Sequence, residues 1–155
     1  MTDSVSVVAP VAGKVVALAD VPDPVFAAEM VGAGVAIEPS GGSAEAVSPV
    51  SGTLVKLHPH AYVVVTAEGT GILVHLGIDT VKLDGEGFEL LVEEKSTVEA
   101  GQPVTRWDPT DVAGRGLSPM VMLCVLDTKA GDVSSDLTGS RVEAGTTLFT
   151  WPNGS

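Results

Sequence analysis

Ala61-Tyr-Val-Val-Val-Thr-Ala-Glu-Gly-Thr-Gly-Ile-Leu-Val-His-Leu76 sets the architecture. Two apolar, β-branched runs, Ala61–Thr66 and Gly71–Leu76, flank a short polar turn. β-Branched side chains crowd a helix and pack well on a pleated surface, so the stretch reads as a β-hairpin. Tyr62-Val-Val-Val65 and Ile72-Leu-Val74 are apolar at consecutive positions, as strands buried on both faces of a sandwich are. A type I turn at Ala67-Glu68, with Gly69 left-handed in a G1 bulge, fits the three-residue hairpin signature and is expected to set His60 opposite His75. A turn centred on Gly69-Thr70 would instead part the two histidines by about four residues, roughly 13 Å at ~3.3 Å per residue.

Outward from the hairpin, the same signals mark strands at Val5–Val8, Gly13–Leu18, Gly34–Glu38, Gly52–Leu57, Val104–Trp107, Met120–Leu126 and Thr147–Trp151. Helical signal is thin. Asp23–Met30 predicts a helical turn with Asp23 as N-cap and Pro24 at the first position, and Asp108–Gly114 predicts another. Residues 39–46 read as a polar, glycine-rich loop. Ala9-Pro-Val-Ala-Gly-Lys-Val-Val-Ala-Leu18 is similar to Ser48-Pro-Val-Ser-Gly-Thr-Leu-Val-Lys-Leu57, and Val98-Glu-Ala-Gly-Gln-Pro-Val-Thr-Arg-Trp107 to Val142-Glu-Ala-Gly-Thr-Thr-Leu-Phe-Thr-Trp151. Two copies are too few for a solenoid and predict a duplicated β motif within one domain. The expected class is all-β: an antiparallel sandwich or barrel with short helical turns.

The 155 residues suit a single domain. An apolar fraction of 45% with 18% charged residues describes a packed globular chain. The net charge of −12 and the lack of a basic stretch argue against binding nucleic acid or anionic lipid through neutralised phosphates, and favour a basic partner. A single cysteine excludes an internal disulfide and a cysteine-rich zinc site. Cys124, in an apolar run, reads as a core residue. Residues 1–10 lack a basic n-region and a long apolar run, and no stretch approaches the ~18 apolar residues that cross a bilayer. A cytoplasmic location is expected.

The three histidines, His58, His60 and His75, lie close together around the hairpin. Paired neutral imidazoles can serve as nucleophile and hydrogen-bonding helper, or ligate zinc with carboxylate or water completing the tetrahedron. Gly77, in His75-Leu76-Gly77, suggests close approach of a ligand.

The segment from His60 to Phe88, with Val74-His75-Leu76-Gly77-Ile78-Asp79-Thr80-Val81 as its most specific part, resembles the glucose-type enzyme IIA component of the bacterial sugar phosphotransferase system. So do Val21-Pro-Asp-Pro-Val-Phe26, Met30-Val-Gly32 and Val98–Val104, and the likeness runs from about Ala9 to Trp151. The resemblance implies an antiparallel β-sandwich that accepts a phosphoryl group from the phosphocarrier HPr and passes it to a cysteine of a IIB domain. It implies that His75 is the phosphoryl acceptor and that His60 supports onward transfer. Asp23 and Asp79 would be the flanking acidic residues, and Phe26, Met30 and Val31 the apolar docking patch. No metal is required, although zinc could bind His60 and His75 if a partner supplied a carboxylate. No IIB-like segment is present, so a free-standing monomer meeting its partners transiently is expected.

The chain departs from the common pattern at His58-Pro59-His60, where well-known members carry a threonine two residues before the first histidine. A third imidazole there either takes over part of that hydroxyl's role or faces solvent. Other readings are a non-phosphorylated regulatory paralogue using the same face, and a lysostaphin-type zinc endopeptidase. The latter shares the His-x-His motif but needs an earlier histidine, and none precedes His58. A biotinyl- or lipoyl-type carrier would need a modified lysine, and Lys14, Lys56, Lys82, Lys95 and Lys129 lack its flanking motif.

Overall fold

The computed structural model describes residues 4–39, 44–129, 131–133 and 135–152. Its strands are β1 (Ser4–Val8), β2 (Gly13–Ala17), β3 (Ala33–Pro39), β4 (Ala44–Val47), β5 (Gly52–His58), β6 (Ala61–Val65), β7 (Gly71–Leu76), β8 (Phe88–Leu90), β9 (Thr97–Val98), β10 (Pro103–Trp107), β11 (Val121–Val125), β12 (Arg141–Val142) and β13 (Thr147–Pro152). Two short helices, α1 (Pro24–Ala27) and α2 (Pro109–Gly114), each have an aspartate N-cap and a proline in the first turn, as expected. The strands pair antiparallel. The large sheet runs β12-β2-β3-β11-β7-β6-β5-β9, with smaller sheets β4-β10-β8 and β1-β13.

The duplication read from the sequence is carried by the hydrogen bonds. Val15 N–H donates to Ser140 C=O and Leu54 N–H to Ser96 C=O, both at 2.9 Å. Ala9 N–H donates to Thr146 C=O at 2.7 Å, and Ser48 N–H to Gln102 C=O at 2.9 Å. A Cβ on Gly13 would lie 2.1 Å from Glu38 O, and one on Gly52 2.2 Å from Val65 O, so both copies need glycine for the same close crossing.

β11 lies between β3 and β7, and its residues, Val121 to Val125, are at most 1% exposed. The main core joins these strands to Tyr62, Leu54, Trp107 and Val7. Tyr62 is wholly buried, and its hydroxyl donates to Val47 C=O at 2.6 Å, which satisfies the one polar group it brings inside. Arg106 reaches Glu45 at 3.1 Å and Glu89 at 2.9 Å across β4-β10-β8. These pairs are exposed, so they add little to stability.

The hairpin turn forms at Ala67-Glu68, with Gly69 at φ +96° and its N–H donating to Thr66 C=O at 2.9 Å. The register differs from expectation by one residue: Ala61, not His60, faces His75. The bulge glycine belongs to the loop, so Thr66 stands across from Thr70 (N–H to C=O, 2.9 Å) and every later pair shifts by one. Part of the expected loop at 39–46 is strand: Ala44–Val47 pairs with β10, while 40–43 lie outside the described residues. β8, β9 and β12, of two or three residues each, are too short to show a periodicity.

Candidate functional site

His75 is the penultimate residue of β7, paired with Ala61 on β6 and Met122 on β11. Alternate residues of a strand share a face, so His75 lies on the side of Leu73, away from the main core. On that side Met122, Cys124 and Ala36 are covered by Leu18, Val21, Phe26 and Ile78 in a second, smaller apolar cluster. The segment around α1 therefore forms a cover, and His75 sits at its margin, half-buried.

Beyond His75 the backbone turns sharply. Gly77 has φ +83°, and a Cβ there would lie 2.5 Å from Thr80 Cγ2 and 3.0 Å from Ser118 O. The turn itself therefore requires glycine at this position. Gly77 N–H donates to Met120 C=O, Ile78 N–H to Ser118 C=O (both 2.9 Å), and Thr80 Oγ1 to Leu76 C=O at 2.6 Å. The result is a fixed Gly77 carbonyl 2.7 Å from His75 Nδ1. A carbonyl only accepts, so Nδ1 carries the proton and Nε2 keeps its lone pair.

Burial lowers the His75 pKa from the ordinary 6.5, against the upward pull of the Gly77 bond and of Asp23 and Asp79. Burial also lowers His60, assisted by its histidine neighbours His75 and His58. The site therefore favours two neutral imidazoles. Their ring centroids lie 5.2 Å apart, nearly perpendicular at 70°.

They meet by a different route from the expected cross-strand pair. His60 lies in the two-residue turn joining β5 to β6, where Pro59 bars the positive φ that such turns favour. Freed from strand alternation, its ring swings over the end of β7, and its own C=O accepts Leu76 N–H at 2.7 Å. His58, at the end of β5, is exposed and stacks on His60 at 5.8 Å and 26°.

Asp23 caps α1, its carboxylate accepting Val25 N–H at 2.9 Å and Phe26 N–H at 3.3 Å. That cap brings Phe26 to 5.3 Å from the His75 ring. Phe26, expected on the docking patch, is only 8% exposed and forms a wall of the site. Val31 is half-buried, whereas Met30 is 74% exposed. Val25 at 46% and Val81 at 60%, which sequence reasoning passed over, also stand out on the two segments flanking His75. Asp79 is exposed, with φ +62°.

Cys124 is wholly buried in β11, its thiol pushed up to about 12, chiefly by burial, and it has no part in the surface chemistry. Among the described residues, no three His, Cys, Asp or Glu side chains group closely enough to hold a metal ion. No helix among them is long and apolar enough to cross a membrane.

Residues 5–131 match the family model described as phosphoenolpyruvate-dependent sugar phosphotransferase system, EIIA 1. The glucose-specific EIIA component of Bacillus cereus is 38% identical over 148 residues, covering 94% of this chain and 88% of that protein. The N-acetylglucosamine-specific EIICBA component of Escherichia coli is 50% identical over 103 residues, 65% of this chain. The match spans only 16% of that longer protein, and 22% of the glucose-specific EIIBCA component of Corynebacterium glutamicum. The solved glucose permease IIA from Mycoplasma capricolum superposes with a TM-score of 0.80 at 34% identity, covering 95% of each chain. The duplicated antiparallel sandwich and these matches together place this chain in the EIIA 1 family of the phosphoenolpyruvate-dependent sugar phosphotransferase system.

Proposed function

We propose that the chain is a cytoplasmic phosphoryl carrier in which His75 accepts a phosphoryl group from phospho-HPr and passes it to the cysteine of an EIIB domain. The observation that carries this reading is the tether of Nδ1 to the Gly77 carbonyl, which leaves Nε2 as the nucleophile. The Nε2 lone pair attacks phosphorus in line as the donor's P–N bond breaks, and the donor imidazole leaves with that electron pair and takes up a proton. Onward transfer runs in the same sense: the EIIB thiolate forms a P–S bond while the P–N bond to Nε2 breaks. His60, 5.2 Å away, donates a hydrogen bond to a phosphoryl oxygen. Catalysis is then positioning and charge stabilisation.

Asp23 and Asp79 would repel a phosphoryl dianion, so they serve better as partners for arginines on the docking protein. Exposed Val25, Met30 and Val81 supply the apolar part of that contact. The acceptor's identity follows the relatives whose names join EIIA to EIIB and EIIC in one chain. Relatives named for different sugars match this chain, so the sugar is set by the EIIB and EIIC partner. Zinc is not needed for the transfer. A zinc ion held by His60 and His75 would require further ligands from another molecule.

Intact mass after incubation with phosphoenolpyruvate, enzyme I and HPr tests the proposal. The expected result is an acid-labile gain of about 80 Da, one phosphoryl group, absent in His75→Ala. No gain, with the partners active on another EIIA, would favour a regulatory paralogue that binds through the same face.

A further inference from the structure

His58 plays no part in the phosphoryl chemistry set out above, yet its ring belongs to the same row. Phe26 lies 5.3 Å from His75, His75 5.2 Å from His60, and His60 5.8 Å from His58. The members of the row are not equally anchored. His75 is tied by Nδ1 to Gly77 C=O at 2.7 Å and backed by Phe26. His58 ends the β5 ladder, in register with Ala61. Between them, the His60 ring stands on a turn residue, and among the described residues no side-chain hydrogen bond holds it. A histidine on a turn samples several rotamers, and in-line transfer needs one of them. The near-parallel contact at 26° supplies the missing constraint: the His58 ring lies along the His60 ring, while the His75 ring stands nearly perpendicular to it at 5.2 Å.

We propose that His58 is a positioning residue, whose ring is the stacking surface that holds the His60 imidazole against His75. The proposal deepens the reading of His75 as phosphoryl acceptor and rests on it. It assigns the role to the aromatic plane rather than to the ring nitrogens.

Two variants test it: His58→Ala removes the ring, and His58→Phe keeps a plane without nitrogen. His58 is exposed at a strand end, and preserved amide dispersion reports that each variant is folded. The partner-free measurement is the nuclear Overhauser contact between the His60 and His75 ring protons, with the χ1 couplings of His60. It should weaken and average in His58→Ala and persist in His58→Phe. The kinetic measurement separates acceptance from phospho-HPr and donation to EIIB in single turnovers. His58→Ala should slow donation about tenfold more than acceptance, and His58→Phe should restore it. Unchanged ring contacts and rates in His58→Ala would overturn the proposal, as would a His58→Phe as slow as His58→Ala. If the wild-type chain takes no phosphoryl group, the acceptor reading has failed, and the ring contacts alone still decide whether His58 positions His60.

Discussion

At the scale of the residue, the proposed phosphoryl transfer depends on one lone pair at His75 Nε2. Protonation removes it, so phosphoryl acceptance has an acid limb at the pKa of the folded ring. Burial lowers that pKa from 6.5. The neutral form therefore persists as pH falls through 6.5, and acceptance is lost only in more acid solution. Asp23 and Asp79 pull the pKa upward, so Asp79→Asn should move the limb further to acid. Rates of phosphoryl acceptance between pH 4.5 and 8 (chosen to bracket the usual histidine range) check both statements, and a limb above 6.5 would contradict them. His60→Gln should still accept, because Nε2 of His75 is intact. Donation to EIIB should fall by about 10²-fold or more, as when a positioned proton or hydrogen-bond donor is removed. Equal loss in both half-reactions would deny His60 a separate role.

At the scale of the element, two short segments hold the site. α1 has only four residues, too few to persist without its cap and packing. Asp23 both caps α1 and biases His75, and two substitutions separate these roles. Asp23→Asn keeps a capping side chain and removes the charge. Asp23→Ala removes both, and should cost about 1 kcal/mol while loosening Phe26 from the His75 ring. Urea unfolding with the His75 ring shifts resolves the two. The turn after β7 is the second segment. Gly77→Ala would place a Cβ 2.5 Å from Thr80 Cγ2 at φ +83°, a strain of about 1–3 kcal/mol. It should also displace the carbonyl that orients His75, so acceptance should fall along with stability. A Gly77→Ala protein with wild-type acceptance would show that the tether is dispensable.

At the scale of the whole molecule, the net charge of −12 and the acidic groups beside His75 predict that docking of the proposed donor begins with long-range attraction to a basic surface. The Debye length shrinks from about 10 Å at 0.1 M salt to about 3 Å at 1 M. The second-order rate of phosphoryl uptake from phospho-HPr should therefore fall steeply with added salt. The maximal rate at saturating donor, which depends on contacts already formed, should change little. Stopped-flow measurements over that salt range check this, and a salt-independent second-order rate would remove electrostatic steering from the account.

The amino-acid sequence by itself determined the strands that carry a long β-branched run, the duplication, and the aspartate caps with their prolines. All are local: side-chain branching, turn glycines and N-cap chemistry act within a few residues. The motif around His75 also led to the family. Only the tertiary structure decided the rest. Whether His60 faced His75 depended on counting one bulge residue, and their meeting was achieved instead by a turn residue freed from the pleat. β8, β9 and β12 exist because longer strands lie beside them, since two or three residues have no period of their own. Phe26 went inside because the cap on α1 turns it onto His75, whereas Val25 and Val81 stayed out. The nitrogen of His75 that keeps its lone pair was chosen by a backbone carbonyl two residues on, held by bonds to Met120 and Ser118 from a distant stretch of chain. Such contacts join residues far apart in sequence, so they form only when the chain closes on itself.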